Sequence, residues 1–197
     1  MPAAPPPPLV VLVAGPNGAG KSMSAPDLLR GALAVEEFVN ADTIAQGLSA
    51  YRPETTAVAA GRVMLGRLHL LARQRCDFAF ETTLAGRGHA GWLGDLRASG
   101  YRSHLLFLSL PSPALAVARV AERVRQGGHD VPGTVVRRRF TAGLRNLFTV
   151  YIPAVDNWVV YDNSDVAGPR PVASGGQGKS TTTLERHAWR SLQELGR

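Results

Sequence analysis

The eight residues Gly15-Pro16-Asn17-Gly18-Ala19-Gly20-Lys21-Ser22 follow directly on the apolar run Leu9-Val10-Val11-Leu12-Val13-Ala14. A β-branched run of strand length, a glycine-rich loop and a helix-compatible stretch, in that order, restrict the fold more than any other feature of the chain. The loop fits G-x-x-x-x-G-K-[ST] at every fixed position. Its glycines allow a tight turn that aims N–H groups inward, making a concave site for phosphates. A helix opening near Gly20 adds its positive dipole end. Lys21 is then expected to reach the β- and γ-phosphates, and the Ser22 hydroxyl to ligate Mg²⁺. Gly15 to Ser22 thus read as a nucleotide cradle, with ATP and Mg²⁺ as the cofactors.

Gly175-Gly176-Gln177-Gly178-Lys179-Ser180 repeats the Gly-Lys-Ser ending. The position of the first required glycine holds Ala173, no apolar strand leads in, and threonines follow. This segment reads as a loop.

The rest of the chain alternates strands and helices, which predicts an α/β fold with a mostly parallel, five-stranded sheet between two helical layers. Expected strands are Leu9–Ala14, Glu37–Asn40, Phe78–Glu81, Ser103–Leu110 and Trp158–Tyr161. Expected helices run from the glycine-rich loop to about Ala34, with Pro26 as a kink or restart, then Pro53–Arg75 and Ala90–Ser99. Three more are expected: Pro113–Arg125 behind a Ser112 cap, Gly133–Phe148 and Thr182–Leu195. Residues 163–181, rich in Gly, Pro and Ser, read as a loop. Residues 1–8 read as a disordered, proline-rich tip before one domain spanning 9–197.

Composition narrows the compartment and the partners. A single cysteine, Cys76, excludes an intramolecular disulfide framework. It reads as a buried spectator. No basic leader and no stretch of membrane-span length is present, so a cytoplasmic protein without a membrane partner is expected. The net charge is +7, but the basic residues are spread out and aromatics make up only 7% of the chain, without the interleaving that stacks bases. Charge alone therefore argues against nucleic acid more than for it.

Ligands of doubly wound sheets sit beyond the carboxyl ends of the strands. Asp42 follows the second strand and Glu81 ends the third, so both are expected on the rim that carries the phosphates. Phosphoryl transfer to a hydroxyl needs an in-line acceptor, charge neutralisation and a group that orients the hydroxyl and takes its proton. Asp42 fits that last role, or else caps the helix beginning near Thr43. Glu81 orients Mg²⁺ through water, holds substrate, or is an exposed strand end. Thr82 and Thr83 either cap the next segment or donate to substrate oxygens. No strand ends in an Asp placed to hold metal beside the main strand, which favours a small kinase over a motor ATPase or GTPase. Residues 119–140 read as a lid: glycines at 127 and 128 form the hinge, and Arg119, Arg123, Arg125 and Arg137 to Arg139 flank it. Closure would carry one or two guanidiniums onto the γ-phosphate. The alternative is a solvated basic face. Three consecutive arginines cannot share one helical side, so at most two of Arg137 to Arg139 point inward. His129 reads as a turn residue.

Taken together, Gly15 to Ser22, Phe38-Val39-Asn40-Ala41-Asp42, Phe80-Glu81-Thr82-Thr83-Leu84, the run from Arg123 through Gly127-Gly128-His129-Asp130-Val131-Pro132 to Arg138-Arg139-Phe140, and Tyr161-Asp162-Asn163-Ser164 resemble the zeta toxin family of P-loop kinases. The resemblance spans about residues 9–165. It implies a fold related to nucleotide and shikimate kinases. It also implies transfer of the ATP γ-phosphate to a hydroxyl of UDP-N-acetylglucosamine, and an antitoxin partner. It implies that Lys21 and Ser22 bind phosphate and Mg²⁺, that Asp42 is the base, that Glu81 assists metal or substrate, and that Arg123 and Arg138 clamp the phosphates. Met23 departs from the small hydroxyl residue often found after the P-loop serine, and the chain is shorter than the large plasmid-type toxins. Three other readings stand beside this one: a P-loop kinase of a sugar acid or nucleoside, a nucleic-acid end-processing or binding protein, and a nucleotide-binding partner protein with little turnover.

Overall fold

A computed structural model describes residues 6–31, 33–50 and 52–197. β1 (Leu9–Ala14) is the third strand of a seven-stranded sheet of order β2-β3-β1-β4-β5-β6-β7, and the middle one of its five parallel strands. β2 is Glu37–Val39, β3 Phe78–Thr82, β4 Arg102–Ser109 and β5 Asn157–Asp162. These five strands are parallel. Val10 to Ala14 are fully buried without a break, as are Leu105 to Leu108 to within 2%. Consecutive residues point to opposite faces, so unbroken burial means helices on both sides and explains the continuous apolar runs.

β6 (Arg170–Gly176), antiparallel to β5, and β7 (Lys179–Thr183), antiparallel to β6, extend the sheet. The expected count of five strands is therefore corrected to seven, and the loop expected over 163–181 contains a hairpin. Only Val172 and Ala173 of that hairpin are buried, so it carries too few apolar residues to announce itself.

The helices are α1 (Lys21–Arg30), α2 (Ala41–Leu48), α3 (Ala57–Arg73), α4 (Gly88–Ala98), α5 (Pro113–Arg125), α6 (Gly133–Asn146), α7 (Ile152–Ala154) and α8 (Arg186–Leu195). α1 passes through Pro26 and stops at Gly31, short of the expected Ala34, and Ala32 lies outside the described residues. The helix expected from Pro53 opens as a 3₁₀ turn, Pro53–Thr56, and becomes α-helical at Ala57. α6 runs on into a π-turn over Leu147–Tyr151. Ser112 caps α5 as expected, its hydroxyl accepting from the Leu115 N–H at 3.2 Å. Of the tip expected to be disordered, residues 1–5 lie outside the described residues, while the Pro8 carbonyl accepts from the Arg102 N–H at 2.8 Å. Cys76 is half-buried. Among the described residues no helix is long and apolar enough to cross a membrane.

Candidate active site

The loop after β1 closes on itself and on its neighbour strand. The Gly15 N–H donates to Thr82 O at 3.2 Å and the Ala19 N–H to Pro16 O at 3.2 Å. A Cβ at Gly15, whose φ is +143°, would lie on the Leu108 carbonyl, so β4 passes too close for any other residue. Gly20 begins α1 in the left-handed conformation and offers no side-chain cap. The Met23 and Ser24 N–H groups donate to Gly20 O, while those of Lys21 and Ser22 are left to an acceptor from outside, which is the requirement of an anion site. The loop is braced from behind: Asn163 Nδ2 donates to Ala19 O at 2.7 Å, and Arg119 donates to Asn163 O and Ser164 O at 2.6 Å each. Arg119, expected in the lid, fastens the segment after β5 instead.

Lys21 is buried, with its Nζ donating to Pro16 O at 2.9 Å and standing 3.5 Å from Glu81 Oε1. Burial lowers its pKa from the usual 10.5, against the pull of the Glu81 carboxylate, which raises it. Glu81 Oε2 accepts from Ser22 Oγ at 2.7 Å and from Asn40 Nδ2 at 2.8 Å. Glu81 is therefore the hub of the phosphate end, not an exposed strand end.

Asn40 settles the position of Asp42. The Asn40 Oδ1 accepts from the Asp42 N–H at 2.7 Å and the Thr43 N–H at 3.4 Å, so Asn40 is the N-cap of α2. Asp42, in the first turn, is released from capping and lines the cleft. One carboxamide thus starts the helix that carries Asp42 and orients Glu81 through its other end. The Thr82 and Thr83 hydroxyls accept from the Leu84 and Ala85 N–H groups, at 3.2 and 3.4 Å, as expected of residues that cap the next segment, and both residues line the cleft.

The cleft encloses about 380 Å³. Asn17, Lys21, Asp42 and Glu81 border it on the sheet side, His129 and Arg139 on the side of α5 and α6. Ala41, Ala45 and Ala57 add a low apolar wall. Arg138 is exposed and outside the cleft, where Arg139 stands in the position expected of Arg138. Helical spacing could have found it. Val136, Phe140 and Gly143 are buried, and Arg139 lies beside that face while Arg138 points the opposite way. Arg123 is part-buried, and its Nη2 donates to His129 O at 2.7 Å, holding the turn that presents His129. Gly128 permits this, since a Cβ there would come within 2.9 Å of Arg123 O. Asn40 and His129 carry no single-residue signal of their own in the sequence.

The far wall is fastened to α6. Asn146 Nδ2 donates to Leu84 O at 2.8 Å and to Ala85 O at 3.2 Å, while Tyr151 Oη donates to Gly86 O at 2.6 Å. Burial pushes the Tyr151 phenol up to about 12, so it stays protonated and keeps donating.

The donors at the phosphate end suit Mg²⁺. A hydroxyl and a carboxylate, both hard oxygen ligands, stand together, and Mg²⁺ takes few protein ligands and keeps waters and phosphates. Ser22 and Glu81 would hold it, directly or through water, and its chemistry there is neutralisation of phosphate charge.

Five parallel strands of this order, a phosphate loop after the middle one and two acids on the same rim define a P-loop kinase. A profile of the zeta toxin family matches residues 2–167, and the chain belongs to that family. An uncharacterised protein of Haemophilus influenzae is 28% identical over 132 residues, 66% of this chain and 91% of that protein. The AvrRxo1-ORF1:AvrRxo1-ORF2 complex has a similar fold in crystals with sulphate ions (TM-score 0.77, 15% identity) and with ATP (TM-score 0.72, 17% identity). The match covers 98% of this chain in both, but this chain spans only 65% of the length of that one. The PezAT chromosomal toxin–antitoxin system of Streptococcus pneumoniae matches with a TM-score of 0.63 at 14% identity, covering 98% of this chain and 88% of that one.

Proposed function

We propose that this protein transfers the γ-phosphate of ATP to a hydroxyl of a small metabolite, a UDP-amino sugar such as UDP-N-acetylglucosamine. The observation that carries the reading is the shared cleft. Lys21 and the phosphate loop border it at one end, and Asp42, released from capping by Asn40, borders it where an acceptor would lie. The acceptor oxygen attacks the γ-phosphorus in line as the bond to the β–γ bridging oxygen breaks. ADP leaves, and the hydroxyl proton passes to Asp42. Lys21 balances charge on the phosphates, and Glu81 keeps Ser22 and Lys21 in place. Arg139 and Arg123 belong to the segment 119–140, which acts as a lid and brings positive charge to the transferred group.

The alanine wall and His129 bound the acceptor's side, and the family resemblance supports the UDP-sugar. Both AvrRxo1-ORF1 and the PezAT toxin were solved as members of two-component systems, which supports an antitoxin partner here. Mass spectrometry of reactions of ATP and Mg²⁺ with UDP-sugars and sugar acids tests the reading. Wild type should yield phosphorylated UDP-N-acetylglucosamine, and Asp42→Asn should lose about 10²-fold or more in rate while still binding ATP. Phosphorylation of a different acceptor would keep the kinase and discard the UDP-sugar. No product from any acceptor would overturn the whole reading.

A further inference from the structure

A second concavity lies at the opposite rim of the sheet, four strand spacings of about 4.8 Å from β1, or roughly 19 Å. It encloses about 440 Å³ between β7 and α8. Thr181 and Thr183, two apart on one face of β7, form its floor; Arg186, Arg190 and Gln193, on one side of α8, form its wall. The family profile ends at residue 167, before this whole appendage.

Two features of the groove call for a ligand, and a third restricts its kind. β7 is the last strand, and among the described residues nothing pairs with its outer edge, which leaves a row of backbone donors and acceptors. Arg186 and Arg190 are exposed, and neither has an acidic partner among the described residues. The groove's one aromatic side chain is already engaged: Trp189 stacks on Trp158 at 5.5 Å and 13°, and meets Phe148 edge-on at 5.3 Å. A single ring with one face covered is not the row of stacking platforms that organises single-stranded nucleic acid.

We infer that this groove is a docking surface that takes an extended acidic protein segment as an eighth strand. A strand added about 4.8 Å outside β7 turns every second side chain toward α8. Those side chains recur about 6.7 Å apart. The two guanidiniums are four residues apart on α8, about 6 Å along its axis. A carboxylate at alternate positions of the added strand therefore meets Arg186 and then Arg190. Main-chain hydrogen bonds supply affinity and the two arginines supply the choice of an acidic sequence. The inference is independent of which acceptor the kinase uses.

Fluorescence anisotropy of the full chain with a labelled octapeptide of alternating threonine and glutamate, at physiological ionic strength, tests it. Saturable binding is expected. Methylating either the threonine or the glutamate backbone nitrogens removes the donors of one strand edge, so one of the two methylated peptides should bind about tenfold more weakly at unchanged charge. The Arg186→Glu, Arg190→Glu double variant should also lose about tenfold, with ATP binding unaltered. Absence of binding overturns the inference, as does equal binding of both methylated peptides. So does tighter binding of an oligothymidylate that needs the same two arginines, which would assign the groove to nucleic acid.

Discussion

Gly-Lys-Ser occurs twice in this chain, at 20–22 and at 178–180, and its glycine is left-handed in both: φ is +75° at Gly20 and +67° at Gly178. Everything else differs. The first lies between a buried parallel strand and a helix, so its lysine is enclosed against Pro16 O and Glu81 and its serine bonds to a carboxylate. The second is the turn of a hairpin between β6 and β7. Its lysine is exposed and reaches Asn157 Oδ1 at 3.0 Å, and its serine faces solvent. The tripeptide with a left-handed glycine is therefore not enough to make a phosphate site. The neighbours make it: a strand that buries the loop's base, a helix whose first two N–H groups are left to an outside acceptor, and acids near the end of β3 and in the first turn of α2.

Three measurements press on that comparison. The largest expected effect is chemical. Lys21→Ala should reduce phosphoryl transfer by about 10³-fold, while Lys179→Ala leaves it unchanged, as read by ADP release. Similar losses in both would mean that the hairpin contributes to the site. Next is stability. Gly15→Ala forces a β-carbon onto the Leu108 carbonyl at a backbone angle that L-residues rarely adopt, and should cost about 3 kcal/mol in urea unfolding. Gly178→Ala meets open space and should cost about 1 kcal/mol. Equal costs would show that the loop is no more tightly built than the turn. The smallest effect is in pH dependence. The lysine cation is the form that holds phosphate. Because burial lowers the pKa of Lys21, ATP affinity should be full below that pKa and fall as pH rises through it, at lower pH than an ordinary lysine would allow. Calorimetric titration in buffers of different ionisation enthalpy should detect proton uptake on ATP binding in that range. Lys21→Arg, which stays charged, should abolish it.

What could be read in advance follows the same division. β1 and β4 have unbroken apolar runs because both faces are covered, and the phosphate loop has a spacing few other structures require. β6 and β7 were hidden because Ser174, Gly175 and Gly176 on one strand, and Ser180 to Thr182 on the other, look like loop residues. They form strands because β5 offers them an edge, which is a tertiary fact. Asp42 and Glu81 were legible from their place at strand ends. The part played by Asn40 was not, since it depends on an amide serving two elements at once. Arg139 was within reach of helical periodicity, whereas His129 depends on how Arg123 folds the turn around it.

The anchoring of the Thr83–Gly86 segment to α6 and the π-turn, through Gly143, Asn146 and Tyr151, has an evolutionary consequence. One wall of the cleft and the guanidinium of Arg139 are carried on one rigid unit. A lineage that enlarges the cleft by shifting that unit also displaces the positive charge, so new substrates are reached more readily by exchanging the small residues at 41, 45 and 57, on the opposite wall, than by moving the unit as a whole.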